Sequence, residues 1–184
     1  KDLGEGGRIL GLDRDREALE VAQTRLQRFG PRCLFFHGSF EDLEQACHLL
    51  GASEVDGLLL DLGVSSLHLD DPRRGFSFQK EGVLDMRMDS SSDRTASDLV
   101  HKTPKEGLIA ILKNFGEEPF APRVATAICE ARRMGSIQTT TELARIVASA
   151  IPRKAWPRRI HPATRTFQAL RIAVNDELNR LENF

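Results

Sequence analysis

The stretch RILGLDRDREALEVAQTRLQRFGPRCLFFHGSF, residues 8 to 40, decides the fold class. It opens with an apolar run ending in acids, RILGLDRD (8 to 15). Ala18, Leu19, Ala22, Leu26 and Phe29 then recur at helical spacing up to Gly30, a residue favoured just past a helix end. CLFFHGSF (33 to 40) is apolar again. The reading is strand, helix, strand. Outward from it, EDLEQACHLLG predicts a second helix ending at Gly51, and VDGLLLDLG (55 to 63) a third strand. Strands alternating with short helices imply a parallel sheet of βαβ units. Because these strands are apolar throughout and do not alternate, they predict a sheet covered on both faces.

After Gly63 the rhythm changes. Residues 68 to 98 are rich in turn formers and charge, and three helical patterns follow. Leu108, Ile109, Ile111 and Leu112 mark the first; Phe120, Val124, Ala127, Ile128 and Ala131 the second; Leu143, Ile146, Val147 and Ala150 the third. TTTELARIVASA opens with Thr-x-x-Glu capping signatures. Beyond the proline-bounded IPRKAWPRRIHP, one long helix is predicted with Phe167, Leu170, Val174, Leu178 and Leu181 on a single stripe. The expected organisation is a partial α/β domain (1–67), an inserted helical domain (68–163) and a helix returning to the first (164–184).

Composition is that of an ordinary globular protein: 184 residues, 40% hydrophobic and 29% charged. No apolar run approaches the roughly 18 residues a membrane span needs, and no signal segment opens the chain, so it reads as soluble and cytoplasmic, with no membrane partner. Cys33, Cys47 and Cys129 are odd in number and far apart, without metal-ligand spacing; they read as reduced thiols, and no metal is expected. The chain starts at Lys1 and stops at Phe184 inside a helical pattern, as a piece of something longer would. Charge is unevenly spread. His101 to Arg171 hold 13 Lys/Arg against 5 Asp/Glu, a balance of +8, leaving −9 for the rest of a chain whose net charge is −1. A basic helical part suits a polyanion, or is solvated helix surface.

Ligands of parallel α/β sheets bind beyond the carboxyl ends of the strands. Asp13, at the first such end, reads either as an acceptor for ribose hydroxyls or as a helix N-cap. Phe40 either covers an adenine face or joins the core. Asp61, followed by Gly63, reads either as a carboxylate facing a cationic or hydrogen-bonding ligand or as a turn cap. Together they point to an adenosine-containing cofactor without separating NAD from S-adenosylmethionine.

Four motifs separate them. DLGVSSLHLDDPRRGFSF (61 to 78), GVLDMRMD (82 to 89), NFGEE (114 to 118) and HPATRTFQALRIAVNDEL (161 to 178) resemble, in order and over essentially the whole chain, the RsmH (MraW) family of ribosomal RNA cytosine-N4 methyltransferases. The resemblance implies a class I, Rossmann-like methyltransferase sheet with a helical insert, and S-adenosylmethionine as methyl donor. It also implies a cytidine of small-subunit (16S) ribosomal RNA near the decoding centre as substrate, the RNA or the small subunit being the partner. Asp13 matches the family's acidic cofactor residue, Phe40 its aromatic contact, and Asp61 the acid beside the donor. Asp61 is thereby the candidate catalytic residue, an acceptor for the N–H groups of the attacking amine. His68 stands where the family typically has Gln. The family's glycine-rich motif would lie upstream of Lys1 and its late strands downstream of Phe184. The sheet is therefore expected to be incomplete and the isolated chain inactive.

RNA recognition has two candidate patches. Arg73, Arg74, Phe76 and Phe78 either grip phosphate and stack on an unpaired base, or form a loop whose rings are core and whose arginines pair with Asp70 and Asp71. PRKAWPRRIHPATR places Arg153, Lys154, Arg158, Arg159 and Arg165 around Trp156, the pattern of an RNA-contacting surface or a packed linker. The competing reading is a non-catalytic RNA-binding module built on the same helices.

Overall fold

A computed structural model describes Gly4 and residues 6–49, 51–52 and 54–184. It divides into two compact units, Lys1–Gly63 with Asn179–Phe184, and Val64–Leu178.

The first unit is a βαβ unit. Strands β1 (Ile9–Asp13) and β2 (Cys33–His37) pair in parallel with Ile9 opposite Cys33 and Asp13 opposite His37. Helix α1 (Arg16–Leu26) connects them and packs on both. Its start is fixed by Asp15, whose carboxylate accepts the Glu17 amide at 3.0 Å, satisfying one of the helix's unpaired N–H groups. Asp15, and not Asp13, is therefore the N-cap. Helix α2 (Leu43–Leu49) follows β2. Cover on both faces of the sheet is not achieved. Every residue of both strands is half-buried or exposed, and Leu19 and Ala46 are the buried hydrophobics of the unit among the described residues.

The expected strand over 55–63 does not form. Leu58, Leu59, Leu60 and Leu62 are all exposed, Leu59 by 89%. A strand exists through the N–H and C=O groups of a neighbour. Among the described residues the segment pairs with neither β1 nor β2.

The second unit is helical, as its periodicities predict. It contains α3 (Ser66–Asp70), α4 (Ala96–Lys102), α5 (Lys105–Gly116), α6 (Ala121–Met134), α7 (Thr140–Ala150) and α8 (Thr164–Asn175). Leu99, Leu108, Leu112, Val124, Ile128 and Leu143 are among the side chains sealed in one core. Helices α5 and α8 lie against each other so closely that a Cβ on Gly116 would stand 2.5 Å from the Arg165 carbonyl oxygen and 2.9 Å from Ala169 Cβ. The Thr-x-x-Glu signature is used at α7, where Thr139 accepts the Glu142 amide while the Glu142 carboxylate accepts from Gln138 N.

The single long helix expected over 164–184 is two. Asp176 takes a left-handed conformation, φ +52°, ending α8, and α9 (Glu177–Asn183) follows. Helix α8 belongs to the helical unit, and Asn179–Phe184 group with the first. Among the described residues no helix is long and apolar enough to cross a membrane, and no group of three or more His, Cys, Asp or Glu is placed to hold a metal ion. Cys33, Cys47 and Cys129 are free thiols.

Candidate functional site

Parallel pairing in register brings the carboxyl ends of β1 and β2 side by side. Gly38 N donates to the Asp13 carbonyl at 3.0 Å, so the Gly38–Phe40 turn begins beside Asp13. The Asp13 carboxylate is at the exposed strand end, and its Oδ1 accepts Asp15 N at 2.8 Å. Its second oxygen carries no hydrogen bond among the described residues. In the turn after β2, Ser39 N donates to Asp42 Oδ2 at 2.7 Å and Asp42 N returns to Ser39 O at 3.0 Å. Among the described residues Ser39 Oγ is buried with no hydrogen-bond partner. Phe40 is half-buried, edge-on to Phe184 at 5.4 Å between ring centres.

A carboxylate oxygen, an aromatic ring and an unpartnered buried hydroxyl, all at two adjacent strand ends, suit the adenosine part of a nucleotide-like ligand. Ser39 is the member that sequence reasoning missed. Its sign was the Gly-Ser-Phe turn itself, which places a polar residue at the carboxyl end of a strand.

The other two expected cofactor residues lie one in each unit. Asp61 is exposed, on the segment that fails to form a strand. His68 is buried in the helical unit. Its Nδ1 accepts Ser65 N at 3.2 Å, Ser65 Oγ accepts His68 N at 3.3 Å, and its ring lies 4.7 Å from Phe76. This reciprocal cap starts α3 and occupies the imidazole nitrogen and one ring face.

The first expected RNA patch is mostly committed internally. Phe76 is 7% exposed and in the core, which leaves no face for a base. Arg74 donates to the carbonyls of Arg87 and Met88, at 3.2 and 3.0 Å, tying its loop to residues 82–89. Gly75 makes that approach possible: it sits at φ +72°, and a Cβ there would fall 2.2 Å from the Val83 carbonyl oxygen. Arg73 is exposed and forms a bidentate pair with Asp71, 2.7 Å at its shortest, which holds the Asp71 carboxyl down to about 2. Phe78 is half-buried, with its ring against Phe167 and His161 at 4.6 and 4.8 Å.

The second patch is open. Arg153, Lys154, Arg158 and Arg159 are exposed, with no carboxylate partner among the described residues. The Arg153 guanidinium lies 4.3 Å from the centre of the Trp156 ring, and Trp156 Nε1 donates to the Ile151 carbonyl at 3.0 Å, fixing the indole. Arg165 is half-buried and donates to the Glu117 carbonyl at 3.0 Å, which makes it chiefly a tie between α8 and the end of α5.

A parallel βαβ unit with an acid and an aromatic at adjacent strand ends, joined to a helical unit with an open basic face, defines an α/β protein of the Rossmann-like class with an incomplete sheet. The profile of the MraW methylase family matches residues 1–184, and the chain belongs to that family. It is 52% identical over 177 residues to the protein named Ribosomal RNA small subunit methyltransferase H of Pelobacter propionicus, covering 96% of this chain and 56% of that one. The protein of the same name from Geobacter sulfurreducens is 52% identical over 176 residues, with 96% and 57% covered. That of Anaeromyxobacter sp. strain K is 51% identical over 179 residues, with 97% and 57% covered. The chain thus spans a little over half the length of these curated relatives.

Proposed function

We propose that this chain is part of an S-adenosylmethionine-dependent methyltransferase acting on the exocyclic N4 amine of a cytidine in small-subunit ribosomal RNA, near the decoding centre, in the cytoplasm. Membership of the family along the whole chain supports the reading most directly. The adjacent β1 and β2 ends support it physically. Bound S-adenosylmethionine would supply a methyl group made electrophilic by its sulfonium. Asp13 would hold the ribose hydroxyls, Phe40 would cover the adenine, and Ser39 Oγ would gain the hydrogen bond it lacks. Asp61 would accept the N–H groups of the target amine. That interaction stabilises positive charge developing on the nitrogen, and holding nitrogen and methyl in line supplies much of the rate. The helical unit would hold the RNA through Arg153, Lys154, Arg158 and Arg159.

One observation favours a second reading, a non-catalytic RNA-binding module. Among the described residues 55–61 pair with neither strand and Asp61 is exposed, so no strand carries Asp61 to the ends of β1 and β2. Isothermal titration with S-adenosylmethionine decides between them, run on the chain and on a version extended at both ends to the length of the relatives. Micromolar binding by the extended protein alone is expected. No binding by either form would leave the RNA-binding module.

A further inference from the structure

An open cleft of about 580 Å³ lies within the helical unit, between α7 and the segment 151–161. It falls in the size range of small-ligand sites, roughly 300 to 1,000 Å³. Its walls combine two chemistries. Phe78, Trp156 and His161 bring three rings together, His161 standing 4.8 Å from Phe78 and 6.3 Å from Trp156 between ring centres. Each ring is held. Phe78 packs on Phe167, Trp156 donates to Ile151 O, and His161 Nδ1 accepts Ala163 N at 3.1 Å. The second component is cationic. Arg145, on α7, is exposed and has no carboxylate partner among the described residues, and Arg153 reaches in from the other side over the indole.

We propose that this cleft seats one unpaired nucleotide of the RNA, its base among Trp156, His161 and Phe78 and its phosphate between Arg145 and Arg153. Flat rings held rigidly at small entropy cost, with guanidinium groups at the rim, are what single-stranded RNA recognition uses. Ser149, one turn beyond Arg145 on α7, adds a hydroxyl to the same wall. An acidic peptide would find the arginines but would leave three rings unused. A purely apolar ligand would leave two cations facing it. The charge around the cleft agrees, since it lies in the stretch that carries a balance of +8 between His101 and Arg171. The inference rests on the RNA reading above and deepens it by giving the nucleotide a place.

The chain has one Trp and no Tyr, so its near-ultraviolet emission reports on Trp156 alone. An eight-nucleotide single-stranded RNA is titrated into the protein in two ways, by anisotropy of a labelled copy and by Trp156 emission with the unlabelled one. Saturable quenching with the same midpoint as the anisotropy is expected, and inorganic polyphosphate of equal charge should not quench. Ser149→Phe fills the cleft without adding tryptophan and should weaken binding roughly five- to hundredfold, the range for losing one stacked base. Arg145→Glu, at an exposed position that circular dichroism can check for folding, should weaken it at least fivefold. RNA binding by anisotropy with unchanged Trp156 emission would overturn the cleft while leaving the RNA reading intact. No change in anisotropy would overturn both.

Discussion

Asn175 Nδ2 donates to the Met86 carbonyl at 2.7 Å, joining residues 89 positions apart. The same side chain accepts Met88 N at 2.7 Å and donates to Arg171 O at 2.9 Å, while Asn175 is 2% exposed. One amide therefore closes the last turn of α8 onto the 82–89 loop. It also holds Met86 in a left-handed conformation, φ +60°, that a bulky residue rarely adopts unaided. Met86 N is fixed from the other side by Arg74 O at 2.9 Å. The motif GVLDMRMD thus has a structural role: it is the clasp between the 72–75 turn and α8.

Asn175→Ala leaves the buried Met86 carbonyl and the part-buried Met88 amide without this partner and should destabilise the protein by roughly 2 kcal/mol. A shift of the urea midpoint at constant slope would measure it. Asn175→Asp keeps the acceptor for Met88 N but turns a carboxylate oxygen toward two carbonyls. Its folded-state pKa is then raised, so the variant should be least stable at neutral pH and recover as the carboxyl protonates on acidification. A loss independent of pH would mean that the clasp acts through packing alone.

Gly116→Ala tests the α5–α8 contact. The added Cβ meets backbone at Arg165 O and a fixed methyl at Ala169, neither of which can yield without moving a helix. Helix propensity favours alanine by about 1 kcal/mol, whereas overpacking typically costs 1 to 3. Net destabilisation is expected, read as a lowered Tm. A raised Tm would show that the helices separate without cost.

Asp71 gives a pH prediction of known sign. Hydrogen bonds from Arg73 hold its carboxyl near 2, below the usual 3.8. Its contribution to the 72–74 turn is therefore present above about pH 4 and fades as the pH falls toward 2. Carbon-detected NMR titration should find this carboxyl titrating low, and Arg73→Ala should move it up toward 3.8. An unchanged midpoint would assign the depression to the backbone hydrogen bond from Arg73 alone.

The βαβ start and the helices α5 to α7 were legible because each carries its own apolar periodicity, as Leu19 in α1 or Leu143 in α7 illustrates, with the Thr139 cap as a second signal at α7. The cap of α1 was not, since the strand end offers Asp13 and the helix uses Asp15. What escaped depends on distant partners. VDGLLLDLG has the composition of a strand, but pairing is a property of two segments, and among the described residues neither β1 nor β2 takes it as a partner. The break at Asp176 is invisible in a stripe that runs on from Val174 to Leu178; the pull of the Met86 loop on Asn175 is nonlocal. At the candidate site, the position of Asp13 and Phe40 at strand ends was legible from the residues, while the roles expected of them came from the family resemblance. For Arg73 the sequence already offered Asp70 and Asp71 as partners, and the structure selects Asp71; Arg153 has no acid nearby in sequence and none beside it among the described residues.

The last prediction concerns the open basic segment. Arg158 and Arg159 are exposed, lack carboxylate partners among the described residues, and support no hydrogen bond within the fold there. Reversing both to Glu should therefore leave stability and any cofactor affinity unchanged. If they meet RNA phosphates, each lost contact should reduce the salt dependence of binding by roughly 0.7 in log–log slope, the value for single strands. Trp156→Ala should behave differently. It removes a ring from the cleft, costing about 1 to 3 kcal/mol of binding with little change in slope. It also removes the hydrogen bond to Ile151 and indole packing on the core, so its Tm should fall where that of the double reversal does not. Filter binding of a decoding-region RNA hairpin at several salt concentrations, paired with thermal melts, separates the two effects. An unchanged slope in the double reversal would mark Arg158 and Arg159 as solvated surface, and phosphate contact would then fall to Arg145, Arg153 and Lys154.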